Sequence, residues 1–323
     1  MMKRWLSILA ACLCLVQANA GAQTYPAKTV RLVLPVPAGG LQDAFARAIA
    51  QELGRTWGQS MIIDNRAGAT GIIAAELVVK SPADGYTVFM TDNVTILTNH
   101  LLRSNLPYDI FRDLQPVIVL VKTSNVLVVH PDFPAKSLNE LLAMARAKPG
   151  ELNYGSFGIG SSPHVDTEAL SNAAGIKITH VPYKGGPAIL QGLMGGQISF
   201  SLTGFSPALP LIRQGRVRAL AYAGAERSPV LPELPTISEA GVPGFESSAW
   251  FGWFLPAGAP RAIVDKIAAD ASRVLADPAF REKYVTAVGF EAVALGPAAF
   301  TELLRNDREK YAARFKGMNL KLE

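Results

Sequence analysis

Past residue 14 the sequence holds no cysteine, because Cys12 and Cys14 are its whole complement. Everything after the first two dozen residues therefore lacks disulfides, a thiolate nucleophile and any cysteine-ligated metal. Charge is also scarce, at 18% of residues, and it is not gathered into basic runs or basic–aromatic stripes. That argues against nucleic acid as a partner. After the N-terminal segment no apolar stretch reaches the roughly 18 residues that a membrane span needs. Repeats of 20–50 residues and low-complexity tracts are missing too. The motifs of common nucleotide and hydrolase chemistry are absent. There is no Gly-x-x-x-x-Gly-Lys-Ser/Thr loop, no Gly-x-Gly-x-x-Gly turn and no Gly-x-Ser-x-Gly elbow. The four histidines, His100, His130, His164 and His180, show no paired metal-ligand spacing. No metal or cofactor is expected.

What remains is a chain of 323 residues, 49% hydrophobic, long enough to bury two cores without covalent staples. Its first residues read as an export signal. Lys3 and Arg4 form a positive start, Trp5 to Val16 an apolar run, and Ala18-Asn19-Ala20 or Ala20-Gly21-Ala22 a small-x-small cleavage site. Residues 1–22 are thus expected to be removed and the product to be periplasmic. Leu9-Ala10-Ala11-Cys12 resembles a lipoprotein box, but the run before Cys12 is short and continues past it, so anchoring there is not expected. Removing Lys3 and Arg4 leaves 29 basic against 26 acidic residues, a net charge of about +3. That mild bias is compatible with a small anionic ligand.

Short apolar runs alternate with amphipathic stretches, the pattern of a parallel α/β sheet. Val30–Val36, Met61–Ile63 and Tyr86–Met90 read as strands. Asp43–Trp57, Thr70–Lys80 and Val94–Leu102 read as helices. After a connection marked by Pro107 and Pro116, a second series starts at Asn125–His130. It continues with a capping-box helix from Ser137-Leu-Asn-Glu140, a strand at Leu152–Gly155, and a helix from Ser162-Pro163 to a Gly175 cap. Strands Ile178–Tyr183, Gln197–Leu202 and Arg218–Ala223 follow, with a helix at Pro207–Gln214. Ala225–Gly244 is a connecting segment. Ser248–Leu255 is an aromatic strand, read as core. Helices at Pro260–Leu275 and Ala299–Lys316 end the chain.

Two glycine-rich strand-to-helix turns carry the functional signal, one per series: Pro37-Ala-Gly-Gly-Leu-Gln-Asp43 and Gly155-Ser-Phe-Gly-Ile-Gly-Ser-Ser-Pro-His164. Ligands of open α/β sheets bind at that edge. Helix N-termini offer free N–H groups to carboxylates or phosphates, and glycine lets a ligand approach the backbone. Two such turns facing each other would clamp a small anion. Asp64-Asn65-Arg66 with Gly68-Ala-Thr-Gly71 offers a third turn, read as structural. Ser162, His164 and Asp166 have the residue types of a hydrolytic triad. At a spacing of two they point in different directions around one helical turn and cannot form a relay. His130 and His180 are read as core or surface residues. His164 is read as either helix-end packing or a ligand contact. Asp43 is placed to carry helix-end charge, one turn before Arg47.

The chain resembles the extracytoplasmic solute receptors of tripartite tricarboxylate transporters, the Bug/TctC type. The resemblance rests on Val30-Arg-Leu-Val-Leu-Pro-Val-Pro-Ala-Gly-Gly, Asp64-Asn-Arg-Ala-Gly-Ala, Ala83-Asp-Gly-Tyr-Thr and Leu106-Pro-Tyr-Asp. It continues through Lys148-Pro-Gly-Glu-Leu-Asn-Tyr-Gly-Ser, Gly158-Ile-Gly-Ser-Ser-Pro-His, His180-Val-Pro-Tyr-Lys-Gly and Leu234-Pro-Thr-Ile-Ser-Glu-Ala-Gly. It implies an α/β, two-domain flytrap fold of the periplasmic-binding-protein kind, with two crossover connections. Domain 1 would be residues 23–122 with 226–323, and domain 2 residues 123–225, with the ligand between them. The family's clamp loops carry over to Val36, Pro37, Ala38, Gly39, Gly40 and Asp43 on one side. On the other they carry over to Phe157, Gly158, Gly160, Ser161, Ser162 and His164, with Tyr183 nearby. Gln42, Thr91, Asn93 and Thr203 complete the candidate ligand-binding set. The family usually has a second proline where Ala38 stands and often Ser or Thr where Leu41-Gln42 stand. Leu202-Thr203-Gly204 replaces a frequent Phe-Asp-Asn. These departures put an amino-acid ligand in doubt and favour a plain or more apolar carboxylate. The expected protein is a monomeric, non-enzymatic receptor that passes its ligand to membrane transporter subunits or to a sensor. An exported hydrolase is the competing class.

Overall fold

The computed structural model describes residues 25–156, 158, 161–183 and 186–316. The segment expected to be an export signal, with Cys12, lies outside the described residues. Among the described residues ten strands form the frame. They are β1 (Val30–Leu34), β2 (Met61–Asn65), β3 (Thr87–Asp92), β4 (Leu114–Val129), β5 (Asn153–Ser156), β6 (Thr179–Pro182), β7 (Phe200–Gly204), β8 (Arg218–Tyr222), β9 (Ser248–Pro256) and β10 (Glu291–Leu295). The main path runs β2-β1-β3-β9-β4-β7-β5-β6, with β8 and β10 also pairing with β4.

Strand β4 belongs to both halves of the molecule. Leu114 to Ser124 pair antiparallel with β9, and Val119 to Lys122 also with β10. Asn125 to Val129 pair antiparallel with β7, and Val126 to Val129 also with β8. One lobe is built on β1, β2, β3, β9, β10 and the first part of β4. The other is built on β5 to β8 and the rest of β4.

The parallel α/β expectation holds for β1 with β2 and β3, and for β5 with β6 and β7. It fails at the centre, where β9, β4, β7 and β8 are antiparallel. The connection expected around Pro116 is the second correction, because Pro116 lies inside β4. Its missing N–H is accommodated by a register shift between Pro116 and Ile118, a position where a sheet tolerates proline.

Among the described residues ten helices cover the sheet: α1 (Leu41–Trp57), α2 (Ile72–Val79), α3 (Asn93–Leu102), α4 (Leu138–Ala147), α5 (Ser162–Ala174), α6 (Gly186–Met194), α7 (Phe205–Arg213), α8 (Arg261–Ala276), α9 (Pro278–Tyr284) and α10 (Pro297–Lys316). Among the described residues none is long and apolar enough to cross a membrane. Alternation along β1 separates two cores of the first lobe. Val30, Leu32 and Leu34 face α1 and α8, while Val33 faces α2, α3 and α10. The second lobe repeats this, with Leu127 and Val129 on one face of β4 and Val126 and Val128 on the other. Trp250, Trp253 and Phe254 are buried, as expected of core residues. Gly252 between them lets the Phe300 ring lie so close that a Cβ would meet it at 2.5 Å.

Several ends follow their sequence signals. Ser137 accepts from the Glu140 amide at 3.2 Å. The Glu140 carboxylate reaches back to the Lys136 amide at 2.8 Å, one residue beyond a full capping box. Gly175 closes α5 in the left-handed region. Helix α9 and strand β10 were not expected from the sequence.

Candidate functional site

The first turn leaves β1 at Leu34 and enters α1 at Leu41. Gly39 sits at φ +88°, a region that favours glycine, and Gly40 caps the helix with no side-chain bond. Pro37 to Gly40 are exposed, and no side chain caps the start of α1.

Asp43 holds this turn in shape. Its carboxylate accepts from the Gly39 amide at 2.9 Å, from Arg47 Nε and Nη2 at 2.9 and 3.0 Å, and from Asn65 Nδ2 at 2.9 Å. Asn65 also donates to the Val36 carbonyl at 3.1 Å. The Arg47 guanidinium, aided by the Gly39 and Asn65 bonds, draws the Asp43 pKa down to about 2 against the pull of burial. Asp43 is therefore a tie beneath the exposed tip, and the Asp64-Asn65-Arg66 turn is its anchor.

The end of β3 lies beside this turn, since β3 pairs with β1. Asp92 caps α3 by accepting from the Thr95 amide at 2.7 Å. Asn93 is turned inward: its Oδ1 accepts from the Trp250 amide at 3.1 Å, and its Nδ2 lies 3.4 Å from the Ser248 carbonyl. Gln42 is buried too, with Nε2 3.5 Å from the Met90 carbonyl. Thr91 is fully buried, with a hydroxyl that has no hydrogen-bond partner in the structure.

The second turn leaves β5 at Ser156 and enters α5. Gly158 is at φ +109°, and Ser161 is the N-cap of α5 without a side-chain bond to the amides of the helix. The Ser156 hydroxyl accepts from the Gly158 amide at 3.0 Å, and Ser161 Oγ donates to the Gly158 carbonyl at 2.7 Å. Phe157 and Gly160 lie outside the described residues. Ser162 opens the backbone of α5. Tyr183 fastens the base of this turn, its amide donating to the Ser156 carbonyl at 2.7 Å. Its ring lies on α6, where a Cβ at Gly192 would come within 2.5 Å of its hydroxyl. Thr203 is buried on β7 opposite Val126, one residue before Gly204 leads into α7.

His180 enters this site although sequence reasoning placed it elsewhere. Its Nε2 lies 2.5 Å from Ser156 Oγ, and its ring lies, tilted, with its centroid 4.5 Å from that of His164 and 5.2 Å from that of Tyr154. Tyr154 in turn donates to Glu168 at 2.6 Å. Burial lowers the pKa of both histidines, and for His164 the neighbouring His180 adds to the effect, while Glu168 opposes it for both. A serine beside a histidine has the form of a nucleophile and its base. Ser156 is wholly buried and bonded within its own turn, so its role is to shape the turn around Gly158.

Asp166 points the opposite way from His164, as the spacing argument required. Its carboxylate accepts from Ser247 Oγ at 2.7 Å, from Asn125 Nδ2 at 3.3 Å and from the Arg314 guanidinium. Arg314 also donates to the Glu246 carbonyl at 2.8 Å. This cluster joins α5, the β4 and β9 crossings and α10. Val165, beside it, packs into the core that α3 and α10 share. The sequence carried no signal for these pairings, which span up to 148 residues.

The arrangement is two glycine-bearing helix N-termini, one per lobe, each uncapped by a side chain and stiffened from behind. Comparison with known proteins gives this geometry its context. The sequence profile of the tripartite tricarboxylate transporter family receptor matches residues 45–320. The chain belongs to this receptor family. The receptor is 37% identical to Protein BugT of Bordetella pertussis over 252 residues, 77% of each chain. It superposes on R. palustris Rpa4515 with adipate at a TM-score of 0.82 and 36% identity, covering 90% of this chain and 97% of that one. MatC from Rhodopseudomonas palustris with bound malate gives 0.78 at 32% identity, covering 90% and 99%. The receptor thus has the two-domain fold of periplasmic binding proteins, and its family is one of binding proteins.

Proposed function

We propose that this receptor captures a small carboxylate in the periplasm and delivers it to the membrane subunits of a tripartite carrier. The observation that carries the reading is the pair of uncapped helix N-termini at Gly39-Gly40 and Gly158–Ser161, one on each lobe. Each offers backbone N–H groups and the positive end of a helix dipole to an anion. The lobes we assign are residues 23–122 with 226–323, and residues 123–225. A ligand carboxylate touching both turns gains contacts in the closed arrangement that an open one cannot give, so binding shifts the population toward closure. The relatives with adipate and malate support a carboxylate as the ligand class.

The glycines supply the test. A Cβ at Gly39 or Gly158 would meet nothing within 4 Å, so neither glycine is needed for internal packing. Gly39→Val and Gly158→Val should cost about 1–2 kcal/mol of backbone strain each and leave a folded protein. They should lose at least about tenfold in affinity for carboxylates, measured by calorimetry on refolded, ligand-free protein against adipate, malate and citrate. Folded variants that bind all panel acids as the parent does would sink the proposal.

A further inference from the structure

Beside the first turn lies a groove that the clamp itself does not use. It has a volume of about 440 Å³ and runs between the start of α1 and one face of α7. Its apolar lining comes from Leu41, Leu209, Pro210 and Val288, with Arg213 and Gln214 at the solvent end. The residues contributed by α7 recur at helical spacing, so they form one continuous face. Leu41 directly follows Gly40, which puts the mouth of the groove within one residue, about 4 Å, of the start of α1. At the start of α7, Ser206 lines the same groove. Both lobes contribute walls: Leu41 and Val288 come from the first, α7 from the second. They already touch nearby, where a Cβ at Gly289 would meet the Phe205 ring at 2.8 Å.

Resting on the carboxylate reading above, we infer that this groove seats the hydrocarbon chain of the ligand. The receptor would then favour carboxylates bearing an extended alkyl or aryl chain over compact, hydroxylated di- and tricarboxylates. With the carboxylate on the amides of the first turn, the chain runs past Leu41 along α7. Apolar burial there is non-directional and grows with the area removed from water. Leu41 is central to this choice, because a hydroxyl at that position would put a polar group at the mouth. Gln42, the other residue that departs from the family pattern here, is turned inward toward Met90. A chain lying between both lobes also adds to the stabilisation of the closed arrangement.

The experiment is calorimetric titration of refolded protein with acetate, butyrate, hexanoate, octanoate, phenylacetate and citrate. The dissociation constant should fall about two- to fourfold per added methylene from butyrate onward. Citrate should bind more weakly than hexanoate. Val288→Trp, which fills the groove from outside both turns, should abolish the gain with chain length. Leu41→Ser should flatten the series. A change of less than about twofold between butyrate and octanoate, with the short acids still binding, would overturn the groove assignment and leave the carboxylate reading standing. If none of the acids bound to protein with a native circular dichroism spectrum, both would fall.

Discussion

The Asp166 cluster invites the most demanding test. Arg314→Met removes the guanidinium and keeps most of the aliphatic stem. The Asp166 side chain is only 4% exposed, so its carboxylate would keep the Ser247 and Asn125 bonds but lose the guanidinium that pairs with its charge. Removing one partner of a buried pair costs about 3–5 kcal/mol, because the charge left behind has lost its counter-ion. Arg314 is 24% exposed, and water can partly replace it, so the lower end applies: about 3 kcal/mol. For a chain of this size each kcal/mol lowers the melting temperature by about 2 °C, giving a fall of about 6 °C. Asp166→Asn removes the charge that needs neutralising. The double variant should therefore recover stability relative to Arg314→Met, with a coupling of about 1–3 kcal/mol. The assay is thermal unfolding followed by circular dichroism at neutral pH, with each variant stripped of ligand. A melting point for Arg314→Met within about 1 °C of the parent would show that the pair contributes nothing and refute the argument.

Other outcomes follow from the same geometry. The folded-state pKa of Asp43, about 2, lies below its ordinary value of 3.8, so ionised Asp43 stabilises the fold by about 2 kcal/mol above roughly pH 4. That contribution disappears as pH falls toward 2, so the melting-point gap between parent and Asp43→Asn should close over the same window. His164 and His180 have lowered pKa values, and the folded state therefore resists protons that the unfolded chain accepts near pH 6.5. Stability should drop as pH goes from 7 to 5, and His180→Gln should shrink that slope; an unchanged slope would count against the histidine pair as its source. Gly252→Ala drives a methyl into Phe300 and should cost about 1–3 kcal/mol, visible as a lower denaturation midpoint in guanidinium.

The two clamp turns were legible because glycine at a strand end followed by a helix start is local chemistry. Gly39, Gly158 and the Gly175 cap all occupy the positive-φ positions that favour glycine. The aromatic strand at Ser248 was legible from its composition. Strand β10 was not, since Glu291-Ala-Val-Ala-Leu295 is short, exposed at Glu291 and half-buried from Ala292 to Leu295, without alternation. Pro116 misled because proline usually ends a strand, and only the register shift against β9 shows why it does not here. The Asp43–Arg47 pair could be read from an i, i+4 spacing, whereas Asn65, the third member, reaches it from another strand. Ser156 and His180 meet because β5 and β6 pair in parallel, with Tyr154 opposite His180. No spacing along the chain encodes that register. Asp166 was seen only as a failed triad member, because its partners come from β4, the segment before β9, and α10.

Strand β4 changes partners between Ser124, which pairs with Ser248, and Asn125, which pairs with Gly204, without a break in the strand. Neither lobe therefore owns a complete sheet. If the chain were divided at this point, each piece would be left with an unmatched row of main-chain donors and acceptors. The lobes are thus partners in one folding transition rather than modules that could be exchanged between receptors. New chain ends should be borne within residues 225–244, where the backbone winds between elements, and rejected anywhere along β4.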